Sequence, residues 1–211
     1  MDIKIKNGLL YRFFKRFFDI LISFIFLILF GWFILILLLI KFIEDGHNPI
    51  YKSIRVGYKG KLIKFHKIRS MKYNSEDLKE DLINQGLNER DDKSFKIKDD
   101  PRVTKFGKFL RKTSLDEILQ IWDVLVGRIS LVGPRSPLVE EVKNYSEYEL
   151  HRLDVKGGLL CYWQITKNRH NISFDDWVKL DIKYIESRNL WVDFKILIIG
   201  FFKILFFRLG E

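Results

Sequence analysis

The residue types best suited to chemistry lie close together between positions 114 and 135. Asp116 and Glu117 are adjacent carboxylates, and Arg135 follows a Gly-Pro pair that fixes the direction of the chain. A carboxylate can attack phosphorus and form a covalent phosphoryl intermediate when a divalent metal ion and Arg or Lys side chains neutralise the other oxygens. The segment is therefore a candidate site for phosphoryl transfer, with Asp116 as the nucleophile.

The same segment also has a purely structural interpretation. Ser114 and Glu117 have the Ser-x-x-Glu spacing of a helix capping box, and apolar residues follow at helical intervals. This pattern predicts a helix that begins at Ser114 and carries Asp116 in its first turn, where the helix dipole favours negative charge. Most Ser-x-x-Glu matches are only caps and most Gly-Pro-Arg matches only turns, so the spacing alone leaves both interpretations open.

An apolar block without charge precedes the candidate site at residues 20–40. As a helix it would be about 30 Å long, which is the thickness of the hydrocarbon core of a bilayer. It lacks the short apolar core and the small-residue cleavage site of a signal peptide, so we expect a retained membrane helix. Lys and Arg residues flank both ends, and the positive-inside rule therefore gives the block little orientation bias.

The breakers Gly46 and Pro49 separate this block from the rest of the chain. We expect residues 1–43 to form a basic N-terminus and membrane helix, and residues 44–211 to form a membrane-associated catalytic domain. The predicted fold class is α+β and mainly helical, with a short β-hairpin and interfacial amphipathic helices. The lone Cys161 excludes an intrachain disulfide and fits a catalytic part that faces the cytoplasm.

The other elements are predicted from apolar periodicity and turn residues. They are a β-hairpin formed by 50–51 and 61–68, a polar surface helix or mobile loop at 76–92, helices at 137–150 and 174–185, and a helix at 191–209. The last segment interleaves aromatic and basic residues, which suits a helix in the lipid headgroup layer. A buried core helix is the alternative for that stretch.

The composition limits the classes of ligand. The formal net charge is +10, which suits nucleic acid, anionic lipid or phosphorylated substrates. Lipid and phosphate are favoured beside an apolar block, and the sequence contains no nucleic-acid-binding motif. The four histidines show no metal-ligand spacing, and Asp99 and Asp100 before a proline form either a metal-binding pair or a turn.

Motifs along nearly the whole chain resemble the bacterial sugar transferases, the monotopic phosphoglycosyl transferases that initiate bacterial surface glycans. In order, the matching motifs are Lys15-Arg16-x-x-Asp19, Arg55-x-Gly57-x-x-Gly60-Lys61, Lys67-x-Arg69-Ser70-Met71, Asp100-Pro101-Arg102-x-Thr104-x-x-Gly107-x-x-x-Arg111, Ser114-Leu115-Asp116-Glu117, Ser130-Leu131-Val132-Gly133-Pro134-Arg135, Trp163-Gln164, Arg169, Asp181-x-x-Tyr184 and Leu190-Trp191-x-Asp193.

The resemblance implies transfer of a sugar 1-phosphate from a UDP-sugar to a polyprenyl phosphate such as undecaprenyl phosphate, with release of UMP. Asp116 would form the covalent phosphosugar and would contact a Mg²⁺ ion, which brings the anionic groups together. Glu117 would assist deprotonation of the acceptor or position the metal. The phosphate-binding residues would be Arg135 and Arg111, followed by Lys67, Arg69 and Arg169. The implied location is the bacterial inner membrane, and a homodimer is possible.

Several positions depart from the family pattern. The family has a re-entrant helix kinked at a Ser-Pro pair, where this chain has Gly31-Trp32, so a straight span also remains open. Asp123 replaces a usual Asn, and Arg128 replaces an acidic residue. The reversed charge at Arg128 leaves a second function open, a catalytically weakened scaffold that holds other glycan enzymes at the membrane.

Overall fold

The computed structural model describes residues 3, 5, 8–75, 100–166 and 172–205. The described elements are α1 (Leu9–Asp45), β1 (Ile50–Val56), β2 (Leu62–Ile68), α2 (Lys105–Thr113), α3 (Gln120–Leu125), β3 (Ser130–Val132), α4 (Val139–Val142), α5 (Glu147–Leu150), β4 (Gly158–Leu160), α6 (Phe174–Ser187) and α7 (Leu190–Leu205). The fold is mainly helical with a short two-stranded hairpin, as predicted. The predicted element at 76–92 lies outside the described residues.

Most of the predicted basic N-terminus and the whole predicted membrane helix form one continuous helix, α1, of 37 residues. It continues through Gly31 without a break and ends at Gly46, whose φ of 67° is in the left-handed region that suits glycine. By its length and apolar composition the helix could cross a membrane. Most of its large apolar side chains are exposed, so this surface is suited to lipid.

A narrow stripe of α1 packs on the rest of the protein at both ends of the helix. Near its start, Arg16 donates hydrogen bonds to the carbonyl oxygens of Val124 and Leu125 at the end of α3. Near its end, the fully buried Lys41 pairs with Glu44 and donates to the hydroxyl of Thr104. The predicted membrane helix and the predicted catalytic domain therefore share one packed structure.

The predicted hairpin is confirmed, and its first strand is longer than expected. β1 and β2 pair antiparallel from Ile50 with Ile68 to Val56 with Leu62. Because side chains alternate across a strand, neighbouring residues of β2 point to opposite faces. His66 thus points toward α3, and Lys67 points toward the segment that carries Asp116.

The predicted capping box at Ser114 is wrong. Ser114 has a φ of 58°, ends α2, and makes no capping hydrogen bond through its side chain. The reason lies upstream, because Thr104 caps a preceding helix that runs directly into this position. The chain then makes a 3₁₀ turn at Leu115–Glu117, and the next α-helix begins only at Gln120.

The predicted single helix at 137–150 is also wrong. The chain forms two separate helical turns, α4 and α5, because Ser146 begins the second one as an N-cap. The side chain of Ser146 accepts from the N–H of Glu149, whose carboxylate accepts from the N–H of Ser146 in return. A second start signal inside the apolar pattern thus divides the helix.

The two C-terminal helices are confirmed over the described residues, and positions 206–209 of the second prediction lie outside them. α6 buries Val178, Ile182 and Ile185 on one face, which is the periodicity that predicted it. In α7, Ile196 is fully buried, while Trp191 and Phe201 are mainly exposed. One face of α7 therefore belongs to the core and another presents aromatic side chains to the surroundings.

A second small sheet places the Gly-Pro-Arg turn. β3 and β4 pair in parallel through Ser130 with Gly158 and Val132 with Leu160. The backbones meet so closely that a Cβ atom on Gly158 would lie 2.0 Å from the nitrogen of Gly133. Glycine is needed here because no side chain fits between the two strands. This close contact fixes where Arg135 leaves the sheet.

Candidate active site

Asp116 and Glu117 lie together on the 3₁₀ turn between α2 and α3, and this turn packs against β2. Lys67 Nζ lies 2.5 Å from Glu117 Oε1 and 3.9 Å from Asp116 Oδ2. The side chain of Asp116 is 14% exposed and that of Glu117 is 35% exposed. The turn thus presents two carboxylates to a ligand while β2 supplies a cation beside both.

The charges around Glu117 are mainly positive. Burial works to raise the pKa of its carboxyl, and the charge and hydrogen bond of Lys67 work to lower it. Arg135 and Arg55 add to the lowering, and the net pKa of Glu117 lies below its ordinary value. Glu117 is therefore ionised at neutral pH, and the positive charges of three cations from separate parts of the chain act on this carboxylate.

Arg55 is a functional candidate that was absent from the residues predicted to bind substrate. It lies on β1, and burial together with the charge of Arg135 lowers its pKa to about 10. Its Nε is buried and has no hydrogen-bond partner among the described residues, and its Nη1 is 3.4 Å from the carbonyl oxygen of Ser136. An arginine in this state can bind an anion without first breaking an ion pair. The Arg-x-Gly motif at this position was the signal that could have identified it.

Arg135 is held from several directions. Its Nη1 lies 3.2 Å from both carboxylate oxygens of Glu141, and its guanidinium lies 5.0 Å from the ring centre of Trp177. Arg152 donates to the carbonyl oxygen of Arg135 at 3.4 Å. Because the side chain and the backbone of Arg135 are both held in place, this arginine loses little conformational entropy when an anion binds.

A buried ion pair supports this arrangement. Arg152 and Asp181 are both almost fully buried and lie 2.9 Å apart, and Arg152 also donates to the hydroxyl of Tyr145. Burial raises the pKa of Asp181 to about 6, although the charge of Arg152 works in the opposite direction. The pair ties α6 to the loop that carries Arg135, so its effect on the site is one of positioning.

The other predicted binding residues have different surroundings. Arg111 donates from Nε to the hydroxyl of Ser70, which places it at the junction of α2 and the end of the hairpin. Arg69 lies 3.3 Å from Asp45 and 5.3 Å from the ring centre of Tyr73, so it links the hairpin to the end of α1. Arg169 lies outside the described residues, and all three remain candidates.

A Mg²⁺ ion fits the donor atoms of the turn. Mg²⁺ is commonly held by one or two carboxylates together with substrate phosphates and water, and Asp116 and Glu117 are adjacent oxygen donors. Within the described ranges there is no group of three or more His, Cys, Asp or Glu residues that could hold a metal alone. Asp100, part of the other candidate pair, is bound to Arg102 in a turn, and Asp99 lies outside the described residues.

The chain was compared with known proteins. A model of the family described as bacterial sugar transferase matches residues 10–207. The chain belongs to this family. The chain is 41% identical over 185 residues to the galactosyl transferase CpsE of Streptococcus agalactiae, covering 88% of this chain and 40% of CpsE.

Two further relatives extend this comparison. The undecaprenyl-phosphate galactose phosphotransferase of Salmonella typhimurium is 41% identical over 202 residues, which cover 93% of this chain and 42% of that protein. The exopolysaccharide production protein ExoY of Rhizobium meliloti is 35% identical over 182 residues, which cover 85% of the chain and 80% of ExoY. The chain thus spans about two fifths of the length of the first two relatives and most of the third.

Two departures from the family pattern meet in the folded chain. Arg128 Nη1 lies 2.7 Å from Oδ1 of the fully buried Asp123. Asp123 also lies 2.7 Å from His66 Nδ1 and accepts from the backbone N–H of His66 at 2.9 Å. The reversed charge at 128 is therefore matched by the new negative charge at 123. The same carboxylate fixes the strand residue directly before Lys67.

Reversing the charge of Arg128 should therefore depend on the residue at position 123. Arg128→Glu should lower the free energy of unfolding by about 1–3 kcal/mol, because Asp123 loses a charged partner and gains a repelling one. In an Asp123→Asn background the same change should cost much less. Denaturant unfolding of the four proteins gives the coupling directly, and equal costs in both backgrounds would show that the pair is not coupled.

Proposed function

We propose that this protein transfers a sugar 1-phosphate from a UDP-sugar to undecaprenyl phosphate at the bacterial cytoplasmic membrane, releasing UMP and starting the assembly of a surface glycan. The observation that carries the proposal is the Asp116–Glu117 turn with Lys67, Arg55 and Arg135 around it. The name of the Salmonella relative supports the same acceptor and the same class of reaction. An anionic nucleophile surrounded by cations suits attack on a negatively charged diphosphate.

The first step uses Asp116 as the nucleophile. Its carboxylate oxygen attacks the phosphorus that bears the sugar, a P–O bond forms, and the bond to the bridging oxygen breaks so that UMP leaves with the electron pair. Lys67 lies beside the attacking carboxylate, and Arg55 and Arg135 would stabilise the negative charge on the phosphate oxygens. Mg²⁺, when bound, supplies further neutralisation of that charge.

The second step returns Asp116 to its free state. A phosphate oxygen of the acceptor attacks the same phosphorus, and the bond to Asp116 breaks. A phosphate monoester has its second pKa near 6, so most acceptor molecules already carry two charges at neutral pH and little deprotonation is required. We assign Glu117 to orienting Lys67 and sharing the metal, which agrees with its lowered pKa.

The position of α1 suggests how the site meets the membrane. Arg16 near its start binds the end of α3, and Lys41 near its end binds Thr104 at the start of α2. Both segments belong to the same packed structure, whereas a helix that crossed the bilayer would place the partners of its two ends on opposite sides. We therefore propose that both ends lie on the cytoplasmic side. Cysteines introduced for Gly8 and His47 should both be protected from an impermeant maleimide outside intact spheroplasts, and labelling of only one would contradict this.

The transfer reaction can be tested with purified full-length protein, Mg²⁺, undecaprenyl phosphate and a panel of radiolabelled UDP-sugars. The expected result is label in the organic phase with one of the sugars, together with an equal amount of UMP. Heat-treated protein and a reaction without the lipid are the controls. No transfer from any sugar, with intact binding of the lipid, would overturn the proposal and favour the scaffold.

A further inference from the structure

An apolar groove lies between α1 and the start of α3. Its walls include Leu27, Gly31 and Leu35 of the membrane helix and Leu119 and Trp122 of the catalytic segment, and its volume is about 350 Å³. This volume is at the lower end of the range of small-molecule sites, which is about 300–1,000 Å³. Its lining is almost entirely apolar, so it suits a hydrocarbon ligand.

The groove is open because position 31 is a glycine. A Cβ atom built on Gly31 would meet no heavy atom within 4 Å. The helix continues unbroken through this residue, so the glycine leaves a gap in the surface of α1 without a kink. A larger side chain at this position would occupy the groove and would not have to displace the packed core.

One wall of the groove is formed by residues that closely follow the reacting groups along the chain. Leu119 follows Glu117 by two residues and packs against a cluster formed by Leu37, Ile68 and Leu110. Ile68 directly follows Lys67, which contacts the carboxylates. One wall of the groove is therefore the chain that leaves the catalytic turn, and the opposite wall is the membrane helix.

We infer that this groove holds the isoprenoid chain of the acceptor, next to its phosphate. The inference rests on the proposed function, which supplies a lipid with a phosphate at one end. A bound phosphate at Asp116 and the cations requires its hydrocarbon chain to leave toward the membrane. The groove offers an apolar surface between α1 and Leu119, the second residue after the Asp116–Glu117 turn. Holding the first isoprene units there would orient the phosphate for attack.

Filling the groove tests this assignment in the active enzyme. Gly31→Phe should raise the KM for undecaprenyl phosphate by about tenfold or more, the scale of loss when a few apolar contacts disappear. The KM for the UDP-sugar and the amount of UMP released in the absence of lipid should stay unchanged, because the first step does not use the groove. Gly31→Ala, which is small, should behave as the unchanged protein.

A matched control places the same bulk elsewhere on the helix. Leu29 is 57% exposed and lies two residues, or about 200°, around α1 from Gly31. Leu29→Phe should leave the KM for the lipid unchanged. An unaltered KM for the lipid in Gly31→Phe would overturn the assignment by showing that the groove contacts bulk lipid only. An equal loss of lipid-independent UMP release would overturn it by showing general damage to the enzyme.

A binding measurement separates the groove from the reaction. Undecaprenyl phosphate with a diazirine in its first isoprene units should crosslink to Leu35, Leu119 or Trp122 in the full-length protein. Unlabelled undecaprenyl phosphate should compete, phosphatidylglycerol should not, and Gly31→Phe should reduce the yield. Equal competition by both lipids, or crosslinks only elsewhere, would overturn the inference. Crosslinking without sugar transfer would instead contradict the proposed function alone.

Discussion

Replacing Asp116 by Asn should lower sugar phosphate transfer by on the order of 10⁴-fold or more, the scale seen when the nucleophile of a covalent mechanism is removed. The amide has the shape of the carboxylate but cannot attack phosphorus, and it cannot contribute a negative oxygen to Mg²⁺. Because Asp116 lies 3.9 Å from Lys67, on a turn at the edge of the core, the fold should survive the change.

Two measurements decide this prediction. Radiolabel in the organic phase gives the rate, and the intact mass after incubation with the UDP-sugar alone gives the covalent adduct, which the Asn variant should lack. Asp175→Asn, a change of the same chemistry at an exposed position of α6, should retain full activity. Transfer by Asp116→Asn within about tenfold of the unchanged protein would rule out Asp116 as the nucleophile.

Smaller effects are expected for the cations. Arg55→Met and Lys67→Met each remove one of several charges around the phosphate, so the remaining cations should partly compensate. In contrast, Asp116 has no substitute on this turn. The other carboxylate there, Glu117, is paired closely with Lys67 and does not occupy the position of Asp116. The mechanism therefore predicts a much larger loss of activity for Asp116→Asn than for either cation variant, and measuring this difference tests it.

Local patterns in the sequence predicted those elements whose boundaries depend on the segment itself. The alternation and glycines around residues 50–68 gave the hairpin, and the helical spacing of Val178, Ile182 and Ile185 gave α6. Both patterns reflect one buried face, which periodicity reports directly. The length and composition of residues 20–40 likewise predicted the apolar helix.

Other features depend on contacts between distant segments. The Ser-x-x-Glu spacing suggested a cap at Ser114, but the position belongs to the end of α2, whose start is fixed by Thr104. The contact of Asp123 with Arg128 appeared in the sequence as two unrelated departures. A spacing rule considers one segment at a time, and it has no information on which helix or strand will pack against that segment.

Only part of the candidate site could be predicted from the sequence, for the same reason. Asp116, Glu117 and Arg135 lie within one short segment, and Lys67 was included only through the resemblance. Arg55 approaches them because the hairpin brings β1 beside the Gly-Pro-Arg loop. Its importance follows from its buried, unpartnered Nε, a property that no spacing in the sequence expresses.

The buried pair of Arg152 and Asp181 provides the largest expected effect on stability. Arg152→Met should lower the free energy of unfolding by about 3–5 kcal/mol at pH 7.5, because it leaves the Asp181 carboxylate buried without its cation. The bonds to Tyr145 and to the carbonyl oxygen of Arg135 are lost as well. Activity should also fall, since Arg135 loses its support.

The penalty should depend on pH in a defined direction. The pKa of Asp181 is raised to about 6 in the folded protein, above its unfolded value, so protonation favours the folded state and ionisation opposes it as the pH rises through 6. Without Arg152 the pKa of Asp181 should rise further. The cost of Arg152→Met should therefore be smaller at pH 5, where the carboxyl is protonated, than at pH 7.5.

Denaturant unfolding of the detergent-solubilised protein at the two pH values measures both effects. Adding Asp181→Leu to Arg152→Met removes the unpaired charge and should recover part of the stability at pH 7.5. Lys179→Met, on the exposed side of the same helix α6, should change neither stability nor its pH dependence. Equal losses in the single and double variants at both pH values would show that packing around Arg152, and not its charge, holds α6 to the loop of Arg135.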